Sequence, residues 1–287
     1  MKIKTFYQFT SPSLIAMTTL MVFPLIIAMW LGLHFLTFRN INTPEFVGLE
    51  NYASVLTDPR FWQSVRFTLL YIVIAVPSLI INGFILAMLL NQITQRLRGV
   101  FISTYLLPMV VVPVVGTLMF KQMFVPSGVV SWFFRDILEQ RFIFSEVSVK
   151  ILIFINAIWG GTPFPFIVLY AGLLTLPKEQ IDAAVVDGAT RWQQVRYVAL
   201  PHLRSLFVFL GLILTMDSYR IFDTVFVLTE MNPVFKADTV MLYIFRTSMD
   251  VQRLGKGNAM AILTVIMILI ILVPYLTRTY REQIEER

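Results

Sequence analysis

The sequence predicts an all-α membrane protein with six transmembrane helices, and three observations support this prediction. Hydrophobic residues make up 57% of the 287 residues and charged residues only 14%, whereas a soluble domain carries about 25% charged residues. The mean hydropathy is correspondingly high, at +0.75. Long stretches without a charged residue recur along the chain, and about 20 apolar residues are enough to cross a bilayer as a helix. We therefore expect residues 1–287 to form a single transmembrane domain.

Five of the predicted spans are uncharged stretches that end at charged residues, and one is less regular. The stretch from Ser205 to Thr229 has helical length but contains Asp217, Arg220 and Asp223. It is counted as a span because leaving it out would give the flanking segments conflicting topologies. The six predicted spans cover approximately residues 11–37, 66–92, 100–122, 150–174, 204–228 and 257–277.

Short basic segments predict that both chain termini are cytoplasmic. Lys2 and Lys4 precede the first span, and Arg96 and Arg98 follow the second, with no acidic residue in either segment. Basic residues at these places favour the cytoplasmic side. The first apolar run is longer than the core of about 7–15 residues in a signal peptide, so we expect it to remain as a membrane anchor.

Composition excludes several classes of function. The formal net charge is +6, but the basic residues are scattered, which favours a role in membrane-protein loops over nucleic-acid binding. The absence of cysteine excludes disulfides and thiolate metal sites. The two histidines, His34 and His202, are predicted at opposite ends of the bilayer and cannot share a metal ion. Because no phosphate-binding loop occurs either, we expect no catalytic residue, no metal and no cofactor in this chain.

The segment between the fourth and fifth spans, residues 175–203, is too long for a simple connection and indicates two short helices. Pro177 suits the first position of a helix. Gly188 suits its end, because glycine adopts the left-handed conformation at low cost. Thr190 and Gln193 have the spacing of a capping box that starts a second helix, and Pro201 is expected to end it.

Two interpretations of this helix pair are open from periodicity alone. It is either a docking element for another protein or an interfacial pair on lipid headgroups, for which basic and aromatic residues are suited. The residues that suit a headgroup zone are Arg191, Trp192, Arg196 and Arg204.

The same segment carries a motif. Residues 182–189 read Asp-Ala-Ala-Val-Val-Asp-Gly-Ala and are followed by Val198-Ala199-Leu200-Pro201. This pattern resembles the EAA motif of the membrane subunits of binding-protein-dependent ABC importers, with Asp182 in the position of the glutamate. The carboxylate is kept, but its reach is shorter.

Other stretches extend the resemblance over the whole chain and to the carbohydrate branch of these permeases, the maltose and glycerol-phosphate type. Residues 46–52, Phe-Val-Gly-Leu-Glu-Asn-Tyr, together with Asp58, are similar to the first periplasmic loop of the family. Leu107-Pro108 resembles the opening of the third span. One departure is Met231-Asn232-Pro233, where the family often has Gly-Gly-Pro.

The resemblance implies a type I importer permease fold in the bacterial inner membrane, with residues 175–203 as a cytoplasmic coupling loop. It also implies two permease subunits that form a heterodimer, two ATPase subunits that bind ATP and Mg, and a periplasmic or extracellular solute-binding protein. A sugar or sugar derivative would then cross by alternating access. The residues expected at the ATPase interface are Asp182, Ala183, Ala184, Asp187, Gly188, Ala189, Leu200 and Pro201.

Charged residues in the fifth span mark a candidate substrate pathway, since ionisable groups at membrane depth usually face a cavity or each other. Asp217, Arg220 and Asp223 are spaced i,i+3, so one ion-paired ladder is geometrically allowed; Tyr219 lies beside it. The ladder is either structural or a binding surface for sugar hydroxyls. In the second case Arg220 could hold an anionic substituent with two hydrogen bonds.

The fourth span adds polar and helix-breaking residues to this pathway. Asn156 and Trp159 precede Gly160-Gly161 and Pro163-x-Pro165; the prolines should break or kink the helix, and broken helices border substrate paths in transporters. Trp159 could stack on a sugar ring or simply pack among the helices. Asn82 in the second span is a further candidate.

Two other functions remain open at this point. The first is a secondary transporter driven by an ion gradient, with Asp217, Arg220 and Asp223 as its relay. The second is a membrane scaffold that transports nothing, which would have no reason to place three charges at membrane depth. The identity of the sugar and its charge are also open.

Overall fold

The computed structural model describes residues 3–285, and the predicted all-α class is confirmed. Lys2 and Arg287, two of the basic residues at the termini, lie outside the described part. Within it the α-helices are, in chain order, α1 (Ile3–Gly32), α2 (Glu50–Leu56), α3 (Pro59–Gln92), α4 (Gln95–Val110), α5 (Pro113–Gln122), α6 (Val129–Asp136), α7 (Glu146–Gly161), α8 (Pro163–Leu174), α9 (Lys178–Val186), α10 (Arg191–Gln194), α11 (Leu200–His202), α12 (Arg204–Tyr219), α13 (Asp223–Thr229), α14 (Val240–Phe245) and α15 (Leu254–Glu285).

Short elements complete this arrangement. Strands β1 (His34–Phe35) and β2 (Glu45–Phe46) pair antiparallel, with His34 opposite Phe46. Two π-helical turns cover Val195–Ala199 and Arg246–Asp250, and a 3₁₀ turn covers Pro233–Phe235.

The described part of the chain contains four uninterrupted stretches of helix that are long and apolar enough to cross a membrane. They are Tyr7–Gly32, Pro59–Gln92, Glu146–Leu174 and Leu254–Pro274. Two further stretches pass the same test only as bent pairs, which brings the number of spans to as many as six.

The predicted third span, residues 100–122, corresponds to two helices with a sharp bend between them. Helices α4 and α5 meet at an angle of 96°. Val111 and Val112 between them are extended, with ψ of 132° and 127°. For Val112 the cause is Pro113, because the residue directly before a proline is pushed out of the helical region. Pro108 lies inside α4 and does not open a span.

The chain divides into two compact units. The first unit contains the residues up to Gln63 and those from Val240 onward, and the second contains Ser64–Thr239. In the first unit, α1 and α2 both pack against α15. Asn51 Nδ2 donates to the carbonyl oxygens of Gly32 and His34, each at 2.9 Å, and so holds the chain where it leaves α1.

In the first unit, a buried ion pair joins two segments far apart in sequence. Lys256 Nζ and Tyr243 Oη each donate to Asp58 Oδ2 at 2.8 Å, and the Lys256 and Asp58 side chains are only 13% and 14% exposed. Burial opposes ionisation of Asp58, but these two hydrogen bonds and one from the Arg60 N–H outweigh it, so the pKa of Asp58 lies below its ordinary value. Burial first, and then the neighbouring carboxylate, raise the pKa of Tyr243 to about 12.

The second unit is built around α8. Its core consists of side chains from α3, α8, α12 and the segment before α12, among them Leu79, Phe166, Leu169, Leu203 and Leu210, which are at most 5% exposed. Helix α5 packs against α13, and α7 packs against both α8 and α13. Between α7 and α8 only Thr162 lies outside the two helices, and its φ of −63° and ψ of −31° are helical. The break expected at Pro163 and Pro165 is therefore wrong, because Glu146–Leu174 forms one continuous span.

The turn after α13 keeps a left-handed conformation without glycine. Glu230 and Met231 have φ of 49° and 56°, a region that costs residues other than glycine about 1–2 kcal/mol. Met231 N donates to Thr229 Oγ1 at 3.2 Å. The turn therefore carries backbone strain at Met231, the first residue that stands in place of the Gly-Gly pair.

Close packing of α3 on α8 predicts different effects for two glycine-to-alanine substitutions. A Cβ at Gly83 would lie 2.8 Å from the Phe166 nitrogen and 3.0 Å from the Pro165 carbonyl carbon, and these backbone atoms cannot move aside cheaply. We expect Gly83→Ala to destabilise the protein by about 1–3 kcal/mol, measured as a lower Tm in detergent by tryptophan fluorescence.

Gly160→Ala is the matched control, since a Cβ there meets no atom within 4 Å. This substitution should leave Tm unchanged or raise it, because alanine is the better helix former by about 1 kcal/mol. Equal shifts of Tm in the two variants would contradict the packing argument.

Candidate functional site

The breaks between α4 and α5 and between α12 and α13 border a cavity of about 890 Å³ within the second unit. Helix α7 supplies a further wall. The polar and charged residues that line it are Tyr71, Thr117, Asn156, Asp217, Ser218, Arg220, Asp223 and Thr224, together with the indole of Trp159. This volume lies within the range of about 300–1,000 Å³ that is typical of small-molecule sites.

Asp217 and Arg220 form one ion pair on the cavity wall. The distance from Arg220 Nη2 to Asp217 Oδ1 is 2.8 Å, and both side chains are more than half exposed. Arg220 follows the last residue of α12, and the chain leaves the helical conformation before α13 starts at Asp223. Because the helix is interrupted there, the i,i+3 spacing does not place Asp223 beside Arg220. The predicted three-residue ladder is therefore wrong: the described residues show only its first pair.

Asn156 forms the polar centre of the same cavity. Its Oδ1 accepts hydrogen bonds from Thr117 Oγ1 at 3.2 Å and from Thr224 Oγ1 at 3.3 Å. Asn156 is only 5% exposed. Its Nδ2 has no hydrogen-bond partner in the described structure, and an unpaired buried amide is costly. Its two N–H donors are therefore unused in the described structure, and the nitrogen itself is enclosed.

Thr117 and Thr224 were not among the residues expected from the sequence. They come from α5 and α13, more than 100 residues apart, and neither stands in a motif. In the sequence these two threonines are distinguished only by lying near predicted helix breaks within the membrane. Many other residues also lie near such breaks, so this position alone could not identify them.

Trp159 lines the cavity with 46% of its surface exposed. This exposure favours an indole that is available to a ligand over one packed in the core. Trp159 also borders a second cavity of about 370 Å³.

Asn82 and Tyr219 do not line the large cavity. Asn82 lines the second cavity instead, and its Nδ2 donates to the Ser78 carbonyl at 2.7 Å. Tyr219 is 4% exposed and belongs to the protein interior. Tyr219 is absent from the lining of the large cavity, so its place on the pathway stays a prediction without support from this cavity.

The helix pair of residues 175–203 is strongly exposed. Gly188 has φ of 78° after α9, and the predicted capping box of Thr190 and Gln193 is confirmed, with hydrogen bonds in both directions. The side chains of Val185, Val186, Trp192 and Tyr197 are 56%, 87%, 70% and 72% exposed. An apolar surface of this kind usually marks an interaction site.

Within this segment two expectations about prolines are wrong. Pro177 caps α9, which begins at Lys178. Pro201 lies within the last turn and does not end the second helix. The π-helical turn of Val195–Ala199 precedes it, and such wider turns accommodate a backbone that lacks a regular hydrogen bond.

The residues expected at the ATPase interface differ in exposure. Ala184, Ala189 and Leu200 are half-buried. The exposed members are Asp182, Ala183, Asp187, Gly188 and Pro201.

The described residues contain no group of three or more histidine, aspartate or glutamate side chains that could hold a metal ion. His34 Nδ1 donates to the Trp30 carbonyl at 2.7 Å, and His202 Nε2 lies 3.0 Å from Thr175 Oγ1. Both histidines therefore take part in local structure.

A cavity with a cluster of polar groups among bent membrane-spanning helices is typical of membrane transport proteins. Residues 53–283 match the family model described as the inner membrane component of binding-protein-dependent transport systems. The chain belongs to this family.

Relatives and solved structures agree with this assignment. The chain is 30% identical over 98% of its length to the "Probable ABC transporter permease protein y4oQ" of Sinorhizobium fredii, covering 91% of that protein. It is 28% identical over 94% of its length to the "Trehalose/maltose transport system permease protein MalF" of Thermococcus litoralis, covering 92% of it.

A crystal structure of a bacterial alginate ABC transporter in complex with an alginate pentasaccharide-bound periplasmic protein contains a similar chain. The TM-score is 0.83 at 18% identity, with 96% of this chain and 94% of that chain covered. The likeness confirms the predicted importer permease fold.

Proposed function

We propose that this chain is a permease subunit of an ATP-driven ABC importer that moves a sugar or sugar derivative across the bacterial inner membrane. Its family membership and the sugar transport named in its relatives support this function. The cavity supplies hydroxyl, amide and carboxylate groups, which are the groups that hydrogen-bond sugar hydroxyls. The chain itself is not an enzyme; its energy would come from a separate ATPase subunit that binds ATP and Mg.

The observation that carries the proposal is the exposed helix pair around Gly188. Its small residues leave room for a partner to approach the backbone closely, and its carboxylates can accept hydrogen bonds from that partner. The side chain of Val186 is 87% exposed and available for an apolar contact. Closure of the ATPases would move this pair and, through it, α12 and the cavity.

The remaining partners follow from the same function. A second, related permease would complete the pathway as a heterodimer, and a solute-binding protein would deliver the sugar; the similar alginate transporter was crystallised with such a protein. Both termini of this chain would be cytoplasmic. The ion-gradient alternative loses its structural support, because the relay from Asp217 through Arg220 to Asp223 is interrupted after α12.

Purification of this chain from its native membrane in a mild detergent tests the proposal. We expect an ATPase and a second permease to copurify and to be identified by mass spectrometry. Uptake of maltose or trehalose into vesicles that contain the complex should require ATP and be insensitive to an uncoupler. Purification of the chain alone, together with uptake that the uncoupler abolishes, would overturn the proposal in favour of an ion-coupled transporter.

A further inference from the structure

The charges that line the large cavity do not balance. Within its described lining, Asp217 and Asp223 carry negative charge and Arg220 carries the positive charge. Tyr71, the other titratable residue of the lining, is neutral at pH 7, since tyrosine ionises near pH 10 in water. The cavity therefore has a net charge of −1 from this chain.

The positive charge is already engaged. Arg220 donates to Asp217 at 2.8 Å, so an anionic substrate would have to compete with a carboxylate held on the same helix end. This geometry argues against the sequence-based expectation that Arg220 holds an anionic substituent.

Asp223 carries the excess negative charge. Its side chain is exposed in the cavity lining at the first residue of α13, where the helix dipole favours a negative charge. The described structure gives it no ion pair. An ionised carboxylate accepts hydrogen bonds from hydroxyl or ammonium groups and repels other anions.

Asn156 is a second polar feature of the same cavity lining. Its amide is 5% exposed, and its Nδ2 is unpartnered. If the amide were turned by 180°, its nitrogen would donate to the two threonine hydroxyls, which can accept as well as donate. The amide oxygen would then be the unused group. A sugar hydroxyl satisfies either arrangement, because it is both a donor and an acceptor.

We infer that this cavity admits neutral or aminated saccharides and excludes saccharides that carry carboxylate, phosphate or sulfonate groups, with Asp223 as the residue that sets this preference. The inference rests on the proposed function, since it assumes that the cavity is the sugar pathway. It concerns a property of these side chains and not of the fold, because a bacterial ABC transporter with a similar chain fold imports the acidic polysaccharide alginate.

The absence of cysteine in the chain allows a direct test of the charge. Gly160→Cys places a thiol in the cavity lining where a Cβ meets no atom within 4 Å. In the purified complete complex, this thiol is treated with a cationic trimethylammonium-ethyl or an anionic sulfonato-ethyl methanethiosulfonate. Modification of this chain is followed by intact mass, and both rates are divided by those of a free thiol. The assembled complex includes any charge that a second permease adds.

We expect the cationic reagent to react about tenfold faster than the anionic reagent after this normalisation, as an excess negative charge nearby requires. Asp223→Asn, which keeps the side-chain size, should bring the ratio close to one. In the control Gly99→Cys, where a Cβ also has open space outside the cavity lining, Asp223→Asn should change nothing. A normalised ratio of one or below at Gly160→Cys would overturn the inference.

A second measurement separates this inference from the proposed function. The uncharged methyl methanethiosulfonate modifies Gly160→Cys in the presence of equal concentrations of maltose, a glucosamine disaccharide or a glucuronate-containing disaccharide. We expect maltose and the glucosamine disaccharide to slow modification of the thiol. The glucuronate-containing disaccharide should slow it only in the variant that also carries Asp223→Asn. Protection by the acidic sugar in the otherwise unchanged complex would overturn the inference. Protection by none of the three, with the tenfold reagent ratio intact, would support the cavity charge and count against the cavity as a sugar pathway.

Discussion

Replacement of Gly188 by valine is expected to reduce ATP-dependent sugar uptake by a factor of about 5–30 and to weaken copurification of the ATPase by a similar factor. Gly188 has φ of 78°, which costs other residues about 1–2 kcal/mol and is least accessible to β-branched side chains. Such a penalty lowers the population of the docking-competent helix pair by a factor of about 5–30. The measurements are uptake into vesicles and the ratio of ATPase to this chain after purification.

Gly188→Asn is the matched control, because asparagine is close to valine in size but tolerates the left-handed conformation. A Cβ at Gly188 meets no atom of this chain within 4 Å, so neither variant clashes internally. We expect the asparagine variant to keep most of the uptake. Equal losses in both variants would indicate that a partner surface excludes any side chain there, and full uptake by the valine variant would contradict the coupling role of this turn.

Removal of one partner of the buried pair between Asp58 and Lys256 should cause the largest loss of stability. In Asp58→Asn the Lys256 ammonium remains at 13% exposure without its carboxylate, and broken buried pairs cost about 3–5 kcal/mol. Some exposure remains, so we expect a loss of about 2–3 kcal/mol and a Tm lower by about 5 °C or more in detergent. Lys256→Met should have a similar effect.

The surface pair of Arg135 and Asp136 is the control for this prediction. Its side chains are 56% and 41% exposed, and pairs of this kind contribute little to stability. Asp136→Asn should therefore leave Tm almost unchanged. The double variant Asp58→Asn with Lys256→Met should be more stable than the sum of the two single losses allows. Additive losses would show that the two side chains act separately.

The acid stability of the protein gives an independent measure of the same pair. The pKa of Asp58 is lowered in the folded state, so its stabilising contribution is fully present above the unfolded value of about 3.9 and is lost as the pH falls through the lowered folded value. The difference in Tm between the wild type and Asp58→Asn should therefore shrink only at pH below about 4. A difference that disappears already near pH 6 would assign the effect to another group.

The conformation of the helix pair at residues 175–203 could be predicted from the sequence because it depends on local interactions. The capping box needs only Thr190 and Gln193 three residues apart, and the left-handed turn needs only a glycine, so both could be predicted. Residues 46–58 resemble a loop of the family, but the sequence does not indicate their structural role. In the structure, Asn51 donates to the end of α1, and Asp58 pairs with Lys256 almost 200 residues later. A pairing across that separation leaves no periodic signal.

The sequence by itself determined that this is an all-α membrane protein of the importer permease type, because long apolar stretches, charge placement and a short motif act within one helix or one turn. Only the tertiary structure decided how the predicted pathway residues are arranged. It separated Asp223 from the pair of Asp217 and Arg220, moved Tyr219 into the interior, and brought Thr117 and Thr224 to Asn156. These outcomes depend on where helices break and which faces they turn to one another, and therefore on packing between segments that are distant in the chain.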